Sequence, residues 1–170
     1  MKFLQKNINK LFKKLLLNCY FPGRWLICEW FFGRSTINIG LGITMDHIEN
    51  IKIADNVLIN NRCKFLGKGR ITIYQNTYIA TDVTFLTTTH SINDMTEVDK
   101  DIIVGSYVWI GCGAVLLPGV VVGEGSIIGA GSIVTKNVDE YSVWCGNPAR
   151  RIKDREITRP YRLPGGGWLK

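Results

Sequence analysis

From residue 53 the chain keeps a six-residue period, and an internal period that short leaves few folds open to it. Residues 53–70 divide into IADNVL, INNRCK and FLGKGR. After two extra residues, 73–90 divide into IYQNTY, IATDVT and FLTTTH. Beyond an irregular stretch, residues 104–139 split without a gap into VGSYVW, IGCGAV, LLPGVV, VGEGSI, IGAGSI and VTKNVD. Each position of this register has its own physical character. The first holds Val104, Ile110, Leu116, Val122, Ile128 and Val134, large aliphatics with one burial role. The fifth holds Val108, Ala114, Val120, Ser126, Ser132 and Val138, all small enough for a tight inner site. The fourth runs Tyr107, Gly113, Gly119, Gly125, Gly131 and Asn137; glycine and asparagine tolerate positive φ, so this position marks a backbone corner. Corners at every repeat, joined by short β segments, predict a coil of flat faces whose stacked turns bury a continuous aliphatic column. The spacing itself says nothing of handedness; parallel crossovers in general favour the right hand.

The rest of the chain is organised around that coil. Leu4, Ile8, Leu11, Phe12 and Leu15 recur at helical spacing over residues 2–17, with Lys6, Lys10, Lys13 and Lys14 on the opposite side and only Phe3 spoiling the division. Such a helix either packs on its own protein or an oligomer neighbour, or lies in an anionic membrane interface with its lysines outward. Trp25, Trp30, Phe31 and Phe32 make 20–35 too aromatic for a solvated linker. The expected organisation is a helical and aromatic extension over 1–35, a β-helix over 36–150 with a protruding loop at about 91–103, and a short basic tail over 151–170.

Charge and cysteine usage narrow the partners. A formal charge of +7 points to an anionic partner, whether nucleic acid, membrane surface or phosphorylated cofactor. Cys19, Cys28, Cys63, Cys112 and Cys145 are odd in number and form no C-x-x-C pair, which fits a reducing compartment better than a disulfide framework or structural zinc. Asn18, Pro22, Arg24 and Glu29 interrupt the one region apolar enough to suggest a membrane span, and the N-terminus has no signal-peptide pattern. A cytoplasmic protein is expected, with peripheral contact to the inner membrane face if the helix binds lipid.

The run IIVGSYVWIGCGAVLLPGVVVGEGSIIGAGSIVTKNVDEYSVWCGNPARRIK resembles the hexapeptide-repeat acyltransferases, and within them the sugar O-acetyltransferases such as the galactoside, maltose, capsule and lipopolysaccharide enzymes. The resemblance spans about residues 53–153 and is strongest at VWIG (108–111), IGAGSIVTK (128–136) and GNPARRIK (146–153). It implies an all-β solenoid, a left-handed parallel β-helix, that uses acetyl-CoA and no metal. It also implies a homotrimer with the cofactor between neighbours, a role for which the outward Trp109 suits. The histidine that precedes the family's interrupting loop falls on His90 in TTTHSIND. As general base it would deprotonate the acceptor as that atom attacks the thioester, a task suited to imidazole, which ordinarily titrates near ~6.5. The alternative is a surface-loop histidine, which is how His47 reads.

Other positions carry over one at a time. Asn60 falls where the sugar enzymes hold the acceptor, or is a solvated polar corner. Lys68 stands where the galactoside enzymes use an acidic residue, which argues against a galactoside-like acceptor. Cys112 occupies the family's serine position, whose backbone N–H supports the oxyanion; that donor survives the change of side chain, and a covalent role for the thiol is not expected. Ala130, three repeats on, should stack one coil above and let the pantetheine arm pass. Thr135, Lys136, Arg150 and Lys153 match the positions that hold the phosphates and adenine end, within a cluster that also includes Arg151 and Arg155.

Competing readings explain less. A γ-type carbonic anhydrase needs three histidines around zinc, and this chain has two, His47 and His90. A non-enzymatic scaffold predicts neither a break in the repeats nor a basic GNPAR tail. Serine acetyltransferases resemble one another in a long helical N-terminal domain, for which the stretch ahead of the repeats leaves no space. Nucleic-acid binding would need a basic face interleaved with aromatics. The acceptor stays open: a sugar hydroxyl of a surface polysaccharide comes first, then the amine of a nucleotide sugar or a small xenobiotic.

Overall fold

The computed structural model describes residues 38–156; the helix expected over 2–17, the aromatic stretch over 20–35 and the tail past 156 lie outside the described residues. Each hexapeptide is extended only briefly before the next corner, so the strands are short and stack in register. The first face contains Asn38–Ile39, Leu58–Ile59, Tyr78–Ile79, Trp109–Ile110, Ile127–Ile128 and Ser142–Gly146, all parallel. The second face contains Thr44–Met45, Lys64–Leu66, Thr84–Leu86, Val115–Leu116 and Ile133–Val134. The third contains Ile51–Ile53, Ile71–Ile73, Ile102–Val104 and Val121–Val122. The chain is a parallel β-solenoid. Among the described residues no helix is long and apolar enough to cross a membrane.

Coil length follows the sequence spacing. Ile103, Trp109 and Val115 pair with Val121, Ile127 and Ile133, so a later coil is three hexapeptides with nothing added. Ile51, Leu58 and Lys64 pair with Ile71, Tyr78 and Thr84, so the earlier coils also carry the extra pair of residues seen between the repeat blocks. Ile71, Tyr78 and Thr84 then pair with Ile102, Trp109 and Val115, and this coil is far longer than a plain one. The surplus forms an antiparallel excursion: Thr88–His90 pairs with Glu97–Asp99. The excursion starts before the expected loop at about 91–103 and closes earlier than it. Ile102 and Val104 are fully buried opposite Ile71 and Ile73, and their alternation draws the chain back into the third face.

Burial matches the columns. Every first-position residue from Val104 to Val134 and every fifth-position residue from Val108 to Val138 is buried. Phe65 and Phe85, register partners on successive coils, stack along the interior at 4.7 Å between centroids and 7° between planes. The fourth position turns the corner even without glycine: Arg62, Asp82 and Tyr107 take φ of 58°, 61° and 59°. Asn137 departs from the expected corner and is absent from the positive-φ residues. Its Oδ1 instead accepts a hydrogen bond from the Val121 N–H at 2.9 Å, because the coil is ending and Val138 makes only an isolated bridge to Val122. The basic segment expected as a tail from 151 begins inside a strand, Ala149–Asp154, which folds antiparallel onto Ser142–Gly146 and closes the first face.

Candidate active site

His90 ends the strand Thr88–His90, is exposed, and lies directly across the hairpin from Glu97. The hairpin springs from the corner between the second and third faces, immediately after the buried Phe85 and Thr87. Among the described residues its imidazole accepts or donates no hydrogen bond, which leaves both ring nitrogens open to a ligand. His47 is different in kind. It caps a short 3-10 helix in a left-handed conformation, with Nδ1 3.5 Å from a Glu49 carboxylate oxygen.

A second group gathers at the opposite edge of the second face, the corner it shares with the first. Asn60 is half-buried there and its Nδ2 donates to the Tyr78 hydroxyl at 2.8 Å, which fixes the amide's orientation. Cys112 is exposed, and its carbonyl accepts from the Gly131 N–H at 2.8 Å, so Ala130 stacks on it one coil further along. The backbone N–H groups of Cys112 and Ala130 meet no acceptor among the described residues. Beside them the corner loses its side chains. The positions that hold the paired Arg62 and Asp82 in earlier coils become Gly113 and Gly131, where nothing lies within 4 Å of an added Cβ. The result is an open shelf edged by two amide donors. Below the shelf, the Arg62 hydrogen bonds hold the Asp82 carboxyl below the usual carboxylate range. Cys63 is no rival nucleophile: burial pushes its thiol up to about 11, and Sγ donates to the Ala80 carbonyl at 3.1 Å.

The basic cluster separates into residues held by partners within the chain and residues that make no ion pair among the described residues. Arg155 donates to the Tyr107 and Gly125 carbonyls, tying the end of the described chain to the coil. Arg151 is held by Asp154 and lies 3.5 Å from Asp139. Lys136, Arg150 and Lys153 are exposed and make no ion pair among the described residues. Arg150 lies opposite Cys145, at the end of the corner that carries Cys112 and Ala130. Thr135 and Lys136 follow the strand Ile133–Val134 and so occupy the corner of the His90 hairpin, while Lys153 lies opposite Val143 on the first face.

Within one chain, then, the expected site residues are not brought into one pocket. His90, Thr135 and Lys136 line one edge of the second face, and Asn60, Cys112, Ala130 and Arg150 line the other. Tyr78, which orients Asn60, had no signal of its own in the sequence, because it reads as a repeat aromatic. The shelf was visible only as two corner glycines. Among the described residues, no three His, Cys, Asp or Glu side chains come together to hold a metal.

Residues 101–136 match the family described as bacterial transferase hexapeptide (six repeats). A Staphylococcus aureus (strain MRSA252) protein described as an acetyltransferase is 38% identical over 135 residues, 74% of this chain and 68% of that one. The maltose O-acetyltransferase of Clostridium difficile 630 superposes with a TM-score of 0.79 at 33% identity, over 87% of this chain and 84% of that one. A hexapeptide-repeat acetyltransferase of Vibrio cholerae, solved with acetyl coenzyme A, gives 0.79 at 25% identity over 85% and 84%. The period, the coil it builds and these likenesses agree: the chain belongs to the hexapeptide-repeat acetyltransferases and is an acyl-CoA-dependent acetyltransferase.

Proposed function

We propose that the enzyme moves the acetyl group of acetyl-CoA to a hydroxyl of a sugar, in the cytoplasm and in the service of surface polysaccharide synthesis, with its sites completed between subunits of a homotrimer. The observation that carries this reading is the division of the site residues between the two edges of the second face. A threefold arrangement sets the His90 edge of one subunit against the Cys112 edge of the next and yields three equal sites. Likeness to a maltose O-acetyltransferase supports the sugar acceptor.

In the reaction, His90 takes the proton of the acceptor hydroxyl as its oxygen attacks the thioester carbonyl. Negative charge collects on the carbonyl oxygen of the tetrahedral intermediate, where the Cys112 N–H donates to it. The intermediate collapses, the carbon–sulfur bond breaks, and the departing CoA thiolate recovers the proton from the imidazolium. Asn60 orients the acceptor, and the Gly113–Gly131 shelf with the Ala130 N–H takes the pantetheine arm. Thr135, Lys136, Arg150 and Lys153 meet the phosphates and adenine end.

Lys136→Ala and Arg150→Ala should each remove a charge-assisted contact worth about 1.5–3 kcal/mol. The Michaelis constant for acetyl-CoA then rises about tenfold or more while that for the acceptor changes little; unchanged affinity in calorimetry for both variants refutes the assignment. Light scattering should report about three times the 19.2 kDa chain, and a fully active monomer excludes a shared site. The acceptor class is tested by thiol release from acetyl-CoA against neutral sugars, amino sugars, nucleotide sugars and aminoglycosides. Turnover confined to amines overturns the hydroxyl acceptor and favours a nucleotide amino sugar or xenobiotic.

A further inference from the structure

The segment FLGKGR belongs to the repeat run, yet its GKG forms no regular repeat corner and lies directly beneath the His90 hairpin. A two-stranded hairpin is marginal by itself in water, so contacts at its root decide where His90 stands. Both glycines are needed for that closeness. Gly67 has φ of 101°, and an added Cβ would lie 2.5 Å from the Thr87 and Thr88 hydroxyl oxygens and 2.7 Å from the Thr88 nitrogen. At Gly69 an added Cβ would lie 2.7 Å from the Lys100 carbonyl oxygen. Between them Lys68 is gripped on three sides. Its carbonyl accepts from Asn50 Nδ2 at 2.6 Å, and its N–H donates to Thr88 Oγ1 at 3.0 Å. Thr88 Oγ1 donates in turn to Asp99 Oδ1 at 2.5 Å, across the hairpin. The Lys68 ammonium reaches past the root to the Glu97 carboxylate.

Glu97 is the residue directly opposite His90, and directly opposed residues of an antiparallel pair emerge on the same side. We infer that the Gly67–Lys68–Gly69 turn and Glu97 form the positioning element of the catalytic histidine: a saddle on the preceding coil that fixes the strand beside the base. The inference rests on the reading of His90 as general base. Lys68 and Glu97 touch no substrate in this scheme. They act through the place they give the hairpin.

The test uses the full-length chain, with thiol release from acetyl-CoA and both maltose and water as probe acceptors. Lys68→Glu and Glu97→Lys each put like charges together. Each should lower kcat about 3- to 10-fold, leave the Michaelis constant for acetyl-CoA within about twofold, and speed deuterium exchange over 88–99 but not in the solenoid strands. The double variant Lys68→Glu/Glu97→Lys restores opposite charges and should return kcat and exchange to within about twofold of the parent. Gly67→Ala should mimic the single reversals without changing charge. Wild-type kcat in both single reversals, no recovery in the double variant, or faster exchange with unchanged kcat would each overturn the inference. His90→Ala keeps the two readings apart. If that variant retains turnover, the base assignment fails and the catalytic role of the saddle fails with it, while the exchange data still report whether the saddle holds the hairpin.

Discussion

Replacement of His90 by alanine is expected to lower turnover about 10²–10⁴-fold, the usual contribution of a positioned general base. The residue is exposed on the outer end of a hairpin strand and supports none of the core, so the variant should melt with the parent. Acetyl-CoA binding should be retained, because the imidazole is no part of the proposed cofactor cradle of the Gly113–Gly131 shelf, the Cys112 and Ala130 amides, and Thr135, Lys136, Arg150 and Lys153. The measurements are steady-state thiol release and calorimetric titration with CoA on the same preparation. Loss of turnover with binding and melting intact is the expected pattern. Near-parental turnover refutes the assignment. Loss of CoA binding instead places His90 in the cofactor site.

A second large effect is expected deep in the coil. Phe85 is fully buried and stacked at 4.7 Å on Phe65 of the preceding coil, so the two rings fill adjacent layers of the interior. Phe85→Ala should cost about 3–5 kcal/mol, the loss of transfer free energy plus the cavity left in a stack that cannot collapse. Parallel neighbours above and below are pinned by their own ladders, which limits relaxation. Denaturant unfolding measures the loss. Tyr74→Ala, at a side chain 50% exposed, serves as the surface comparison and should change stability by about 0.5 kcal/mol or less. Phe85 lies on the strand that runs into the hairpin, so turnover should fall as well at temperatures where the variant is still folded. A loss below about 1 kcal/mol would mean that the layer repacks, and that the stack is not a rigid base for His90.

Much of this architecture was legible in the residues. A first position that is always a large aliphatic, followed by a small fifth position, has one physical solution in a short period: faces stacked around a narrow core. The six-residue register from 104 onward predicted which side chains are buried, and the later coils follow it residue by residue. The irregular parts were less legible. Placing the hairpin across 88–99 depended on Ile102 and Val104 finding Ile71 and Ile73, a contact between coils that spans the whole excursion and that no local pattern encodes. Asn137 looked like a further corner until the end of the coil removed the next strand it would have led to. In the basic cluster, composition could not separate Arg151 and Arg155, which are spent on Asp154 and on backbone carbonyls, from Lys136, Arg150 and Lys153.

The division between the two levels has a simple physical cause. Repetition is a property of the sequence, and each repeat buries its aliphatics only against its neighbours, so the sequence by itself determined the coil, its corners, its core and the family it belongs to. Relations across coils depend on register and on the length of each insertion. Tertiary structure alone therefore decided that His90 stands opposite Glu97, that Lys68 reaches that carboxylate from the coil beneath, and that Cys112 and Ala130 face an edge bare of side chains. It also decided that His90 and the Cys112 N–H lie on opposite edges of one face, because a flat-sided coil separates successive corners by the width of a sheet.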